Sequence, residues 1–219
     1  MKRLWINVKL VILYMYWFWI FFISTQLLGQ SKYPTDSLLV SRSVPIIHKA
    51  GLLPIAVWQR LSYNTELLNC QFYPSCSNYG AEAIKKYGVF LGSTLASERI
   101  VRCNPFALHY HVKSSSPFHI PDGRLTDYLS LSLIIKTNKS PWLASFFSAL
   151  IPGSGRIYAG KTWDGIMGMW TMYLAGSVAY YSIKDQRPIA GPLFGTIAII
   201  VYIGEIYGGW RTAKYYNVI

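Results

Sequence analysis

The sequence has few charged residues for its length. Only 14% of its 219 residues are charged, whereas 52% are hydrophobic. Soluble domains carry about 25% charged residues, so this deficit, together with long apolar runs near both ends, indicates a membrane protein. Most of the charges are basic, and the formal net charge is +12. Basic connecting regions suit anionic lipid headgroups. The membrane signal therefore accounts for the charge, and no nucleic-acid partner is predicted.

Cysteine is also scarce. The three cysteines can form at most one intramolecular disulfide, which excludes a disulfide scaffold. A catalytic thiol needs a base held against it, and no ordered Cys/His/Asp arrangement is present. The pair Gly153-x-Gly155 lacks the third glycine and the preceding strand of a phosphate-binding loop. The sequence therefore predicts no catalytic residue, no cofactor and no enzyme.

The first long apolar run lies near the N-terminus. It carries no charge from Leu10 to Ile23 and reads on to Leu28, about 19 residues, which is near the length needed to cross a bilayer. Residues 1–29 are therefore predicted to be a transmembrane anchor or a signal segment. Crowded aromatic residues and the missing Ala-x-Ala cleavage site favour a retained anchor. The polar residues 30–43 follow as a linker.

An amphipathic helix is predicted within residues 44–63. Pro54, Val57, Trp58 and Leu61 recur there at helical spacing, with basic residues between the apolar ones. A basic helix that bears tryptophan suits the membrane interface. The alternative is that its apolar side packs on its own domain, and the sequence leaves both interpretations open.

A helical hairpin is predicted next. Ser75 or Ser77 can cap a helix that Gly88 ends, and a second helix runs from about Val89 to Val101 before Asn104-Pro105 stops it. A hairpin brings its two ends together, so all three cysteines of the chain should meet at its base.

The meeting of the cysteines has two interpretations. Three thiolates with His109 or His111 could make a structural zinc site. Against this, Cys-x₅-Cys is not a common zinc spacing, and the chain has no fourth cysteine. We predict no metal and expect the cysteines to form a small packed core.

Two short motifs in this stretch resemble the membrane protein insertion efficiency factor family (YidD, or haemolytic domain). They are Cys70-x-Phe72-x-Pro74-Ser75-Cys76-Ser77-x-Tyr79 and Arg102-Cys103-Asn104-Pro105-Phe106. The resemblance covers about 58–106, within a predicted helical module at 44–111, and departs from the family after Phe106. It implies a bacterial inner-membrane protein without catalytic chemistry that helps nascent membrane proteins insert, beside a YidC-type insertase and the Sec translocon.

Under that resemblance the motif residues hold the shape of the module. Four basic residues would contact lipid headgroups or the insertase: Lys85, Lys86, Arg99 and Arg102. Two alternatives stay open, a membrane-active protein of the haemolysin type and a cysteine-based metal-binding interaction module.

The remaining residues are predicted to form a linker, 112–140, and a C-terminal membrane hairpin domain, 141–219. The uncharged runs 165–181 and 188–203 form the hairpin, and Gly204-x₃-Gly208 allows close helix packing. Glu205 lies near the end of a run and is expected to reach water. The phrase from Pro152 to Gly160 resembles small membrane domains of the TM2 type.

The overall prediction is an all-α protein of the bacterial plasma membrane. Basic residues on loops prefer the cytoplasm, and the region between the membrane segments is the richer in Lys and Arg. This favours a cytoplasmic central module, whereas a cleaved signal segment at the N-terminus would place the module outside. Its predicted partners are membrane lipids, the insertase, the translocon and nascent membrane proteins.

Overall fold

The structure, a computed structural model, describes residues 33–65, 70–114, 116–129 and 138–216. The predicted N-terminal anchor lies outside these residues. The described part is mostly helical, which confirms the all-α prediction. In chain order the elements are α1 (Pro34–Val40), α2 (Ile46–Ser62), β1 (Phe72–Tyr73), α3 (Cys76–Arg102), α4 (Ala107–Lys113), β2 (Leu125–Thr126), α5 (Pro141–Leu150), α6 (Ser154–Tyr158), α7 (Thr162–Lys184) and α8 (Ala190–Tyr215).

The predicted hairpin is present within α3. The Ser75 side chain caps it by accepting a hydrogen bond from the backbone N–H of Asn78 at 3.3 Å. Gly88 has φ 85° and ψ 175°, a backbone conformation that side chains disfavour, and the helix turns back there. The two arms then pack closely, since a Cβ on Gly92 would lie 2.5 Å from the backbone of Ile84. Cys76 and Cys103 therefore meet at the open end.

Part of the predicted linker folds onto this module. β2 pairs in parallel with β1, placing Leu125 beside Phe72. Both side chains are buried, and they share a small apolar cluster with Ala107 of α4. Arg124 donates to the backbone oxygen of Phe72 at 3.4 Å. The chain between 116 and 128 thus belongs to the packing of the module, even though it lies in the polar, serine-rich stretch 112–140 that is typical of a linker.

The C-terminal helices pack together and onto the module. α7 and α8 form the predicted hairpin, and α8 also packs on α5 and on the second arm of α3. In the described part of the chain, α8 is the one helix that is long and apolar enough to cross a membrane. The predicted close packing at Gly204 is confirmed, because a Cβ there would lie 2.6 Å from Oγ of Ser97 in α3.

Candidate membrane-contact site

Helix α2 carries an apolar stripe on its outer surface. The stripe follows helical spacing, and its side chains are between 50% and 87% exposed. They are Ile46, Ile47, Leu53, Val57, Trp58 and Leu61. The opposite side of α2 is the buried one, and it is partly polar, since it includes Gln59 and Ser62 beside Leu52 and Ala56. Within the described residues nothing covers this stripe, whereas Leu52 on the opposite side packs in the core. The interpretation that the apolar side of α2 packs on its own domain therefore holds for Leu52 but not for the stripe.

A polar contact explains why α2 turns that side inward. Gln59 is fully buried and donates to Oδ1 of Asn78 at 2.8 Å and to Oγ of Ser77 at 3.3 Å. Its own oxygen accepts from the backbone N–H of Thr35 at 3.1 Å. Buried amides need such partners, so Gln59 fixes the rotation of α2 against the first turn of α3.

The tip of the hairpin lies beside this stripe. A Cβ on Gly88 would lie 3.3 Å from Nε2 of His48 in α2. Lys85 and Lys86 are exposed on the first arm, and Phe90 on the second arm is also exposed. The tip thus presents cations next to apolar side chains, the combination found where proteins meet anionic headgroups.

Arg99 does not belong to this surface. It has no exposed area, and it donates to the backbone oxygens of Pro74 at 2.7 Å and Asp127 at 2.9 Å. Its guanidinium lies 4.4 Å from the ring centroid of Tyr79 and 4.8 Å from that of Phe72. The expectation that Arg99 contacts headgroups or the insertase is therefore wrong, because these groups hold it inside the module.

Arg102 is also buried, which corrects its predicted role as a contact residue. Its guanidinium donates to Glu98 at 2.6 and 3.0 Å and to Asp127 at 2.6 Å. Burial opposes the ionisation of Glu98, but Arg102, Arg211 and Arg156 outweigh it and lower the pKa of this carboxyl to about 2. Arg102 therefore stabilises the interior of the protein.

This buried charge network continues into the C-terminal helices. Arg211 of α8 donates to Asp127 at 3.0 Å and to Glu98 at 3.4 Å. Arg156 of α6 donates to Glu205 at 3.1 and 3.2 Å and to Glu98 at 3.5 Å. The expectation that Glu205 reaches water is wrong, since its side chain is fully buried. Gly208 leaves the space that the Arg156 guanidinium occupies.

The second family-like motif contacts the same helices. Asn104 donates to the backbone oxygen of Val101 at 3.0 Å and to Oδ1 of Asp164 at 2.6 Å, and it accepts from the backbone N–H of Phe106 at 2.9 Å. The Phe106 ring stacks on Trp163 with centroids 4.4 Å apart. Pro105 is exposed between them. The motif thus forms the turn after α3 and attaches it to α7.

Sequence reasoning missed the acidic and basic residues that complete the network. Asp127 and Asp164 stand in stretches without helical periodicity, and Arg156 stands inside a glycine-rich phrase. A usable signal existed for Arg156 and Glu205, because opposite charges inside apolar segments usually pair with each other.

The three cysteines lie together at the base of the hairpin, as predicted. Sγ of Cys70 lies 3.5 Å from Sγ of Cys76 and 4.0 Å from that of Cys103. Hydrogen bonds with Cys103 and Cys76 lower the pKa of Cys70 to about 2. Hydrogen bonds within the same cluster, together with burial, raise the pKa of Cys76 and of Cys103. All three side chains are half-buried.

Comparisons with known proteins fall on the module. The sequence profile of the YidD family, described as the membrane protein insertion efficiency factor, matches residues 47–111. A factor of that name from Anaeromyxobacter is 43% identical over 61 residues, which cover 28% of this chain and 82% of that protein. One from Neisseria meningitidis is 55% identical over 42 residues, or 19% of this chain and 58% of that protein.

A third relative with this name, from Clostridium perfringens, is 60% identical over 37 residues, which cover 17% of this chain and 54% of that protein. The chain thus spans between about half and four fifths of the length of these relatives. No solved structure matches the chain.

Proposed function

Because the chain belongs to the membrane protein insertion efficiency factor family, we propose that it is a non-enzymatic factor that assists the insertion of integral membrane proteins. In this proposal it acts at the bacterial plasma membrane with its central module on the cytoplasmic side. Its partners there are a YidC-type insertase, the Sec translocon and the nascent membrane proteins that leave them.

The apolar stripe of α2 is the observation that carries the proposal. In water, six large apolar side chains at least half exposed on one helix face leave a contiguous apolar patch, and soluble monomers rarely have a large one. Burying each of them in lipid stabilises the bound state by about 1 kcal/mol or more. We therefore place α2 at the headgroup level, with its stripe toward the acyl chains.

Two further features support this placement. α8 is long and apolar enough to cross the bilayer and packs on the second arm of α3, so in this proposal it holds the module beside the membrane. Lys85 and Lys86 are exposed at the hairpin tip beside α2, and each cation near an anionic surface adds about 1 kcal/mol. These two lysines remain in the proposed contact surface, whereas Arg99 and Arg102 are removed from it.

The proposed role follows from this position. An amphipathic helix at the headgroup level displaces lipid and offers an apolar surface at the border between water and bilayer. A nascent transmembrane segment that leaves the insertase has to cross this border. The module lowers the cost of that transfer and has no chemical step to perform.

The proposal is tested by an insertion assay on the full chain. Membrane vesicles from cells that lack this protein are supplied with wild type or with the double variant Val57→Glu/Trp58→Glu, and protease protection reports the inserted fraction of a newly made membrane protein. We expect the double variant to insert less of the reporter at an equal amount of factor in the membrane.

The matched control is Ser43→Glu, which adds a carboxylate at an exposed position just before the same helix. It should insert the reporter as wild type does. Equal insertion by the double variant and wild type would contradict the proposal. Leakage from anionic vesicles that hold the wild-type protein alone, with no effect on insertion, would instead favour the haemolysin-type alternative.

A further inference from the structure

We propose that Cys70, Cys76 and Cys103 form a binding site for one thiophilic metal ion, with Zn²⁺ as its expected occupant. The inference concerns the base of the hairpin and does not depend on the role in membrane protein insertion. It also revises the prediction that the cysteines serve as packed apolar residues only.

The distances between the sulfur atoms fit a metal ion. The three Sγ atoms lie within 4.8 Å of one another, with two of the distances at 3.5 and 4.0 Å. Three sulfurs bound to one tetrahedral zinc ion at about 2.3 Å lie about 3.8 Å apart. A disulfide needs two sulfurs at about 2.05 Å and leaves the third cysteine out. All three sulfurs are close enough together to reach one ion, which favours a shared ligand.

The fold brings the three ligands from separate elements. Cys70 precedes β1, Cys76 is the first residue of α3, and Cys103 directly follows its last residue. Cys103 is 33 positions away from Cys70 along the chain and reaches it because Gly88 reverses the helix. A bound ion would therefore join both arms of the hairpin and the strand in front of it.

Donor groups point at the sulfur atoms, as a thiolate site requires. The backbone N–H of Cys76 donates to Sγ of Cys70 at 3.4 Å, and the side-chain amide of Gln71 donates to Sγ of Cys103 at 3.7 Å. Groups of this kind orient metal ligands and stabilise their charge. Arg99 lies at the same junction, where its guanidinium donates to the backbone oxygen of Pro74, two residues before Cys76.

Within the described residues, three protein side chains can bind the ion. His111 is held away by a 2.8 Å hydrogen bond between its Nε2 and the backbone oxygen of Pro117, and among the described residues no histidine or carboxylate joins the cluster. The cysteines are half-buried, and a fourth ligand from solvent would complete the coordination of the ion. A closed structural zinc site would have four protein ligands.

The test uses the full chain, purified in detergent, reduced and stripped of metal with a chelator. Titration with Co²⁺ should give a sulfur-to-cobalt charge-transfer band that saturates at one ion per chain, and one equivalent of Zn²⁺ should remove it. Cys103→Ser should lose most of this band. The control His109→Ala, which changes the histidine nearest in sequence to the third cysteine, should keep it.

Since Cys103→Ser also alters a packed junction, a measurement on the wild type completes the test. X-ray absorption at the zinc edge should report three sulfur ligands at about 2.3 Å. A wild-type protein that binds neither Co²⁺ nor Zn²⁺ would overturn the proposal. So would a freshly isolated, unreduced protein whose mass is lower by two hydrogen atoms, because that result shows a disulfide.

Discussion

Two faces of the module reverse the usual pattern of a water-soluble domain, because one exposes apolar side chains and the other buries charged ones. On the outer face of α2, Ile46 is 87% exposed and Trp58 is 51% exposed. On the face that meets the C-terminal helices, Glu98 has no exposed surface and Arg102 is only 8% exposed. The difference shows that residue type follows the neighbour that each face meets. We expect lipid on one side, and on the other side the structure shows helices that carry matching charges.

The two faces also differ in what they contribute to stability. Apolar residues on α2 gain free energy only when lipid covers them. The buried charges on the other face are tolerated because every carboxylate of the network meets a cation, and Glu98 meets three arginines. Such a network adds little net stability compared with apolar packing, yet removal of one partner leaves a charge buried without compensation.

Breaking the inner face should have the largest effect. Arg102→Ala removes the closest cation from both Glu98 and Asp127, and we expect a loss of about 3–5 kcal/mol in the free energy of unfolding. Denaturant titration of the full chain in detergent measures it. Arg187→Ala is the control, because its pair with Asp185 is exposed and should contribute at most about 1 kcal/mol. Equal losses in the two variants would contradict the prediction, because the buried network would then matter no more for stability than an exposed ion pair.

Acid should weaken the inner face next. The folded pKa of Glu98 is lowered from 4.5 to about 2, mainly because three arginines outweigh its burial, and the pKa of Asp127 is also lowered. The unfolded chain therefore binds more protons in this range. The contribution of these carboxylates to the free energy of unfolding should be fully present above pH 4.5. It should fall as the pH decreases toward 2, by at most about 1.4 kcal/mol per pH unit for each carboxyl.

The denaturant midpoint of the full chain as a function of pH measures this effect. Glu98→Gln carries no titrating group at that position, so its midpoint should depend less on pH than that of wild type. A wild-type midpoint that stays constant between pH 4.5 and pH 3 would contradict the assignment of these carboxylates to the buried network.

The sequence predicted α2 and the hairpin, but it did not predict which side of α2 is exposed. Helical spacing and the glycine at 88 were sufficient for α2 and for the hairpin, because these signals are local. The exposure of a helix side, in contrast, depends on residues that are distant in the sequence. The apolar stripe could face lipid or protein, and Gln59 decided between them through a contact with Asn78, which is 19 positions away.

The same limit explains the misplaced arginines. Arg99 and Arg102 stand near a helix end, where cations are usually exposed and suit the helix dipole. Their burial depends on Asp127, which lies in a polar stretch that is typical of a linker. No periodic pattern links these positions, so only the folded arrangement shows that they meet.

A steric clash between α8 and the module should lower the free energy of unfolding by less than the removal of a buried charge does. Gly204→Val places a branched side chain where a Cβ would already lie 2.6 Å from Oγ of Ser97, and we expect a loss of about 1–3 kcal/mol. Gly195→Val in the same helix is the control, because a Cβ there meets its nearest neighbour at 3.7 Å. Thermal unfolding in detergent distinguishes them, and equal costs would mean that helix propensity, not contact between α8 and the module, sets the result.

The smallest effect is expected on the outer face. Lys85→Gln and Lys86→Gln should leave the unfolding free energy unchanged, since both side chains are exposed on the hairpin tip. Each should weaken the docking of the tip on anionic lipid by about 1 kcal/mol.

Spin labels placed at Tyr87 would report this docking as protection from a water-soluble relaxant in nanodiscs with anionic lipid, and the protection should fall as salt rises. Lys113→Gln, on α4, is the control. If the tip is protected equally in neutral nanodiscs, lysine charge is not what holds it there, and the outer face would depend on its apolar stripe alone.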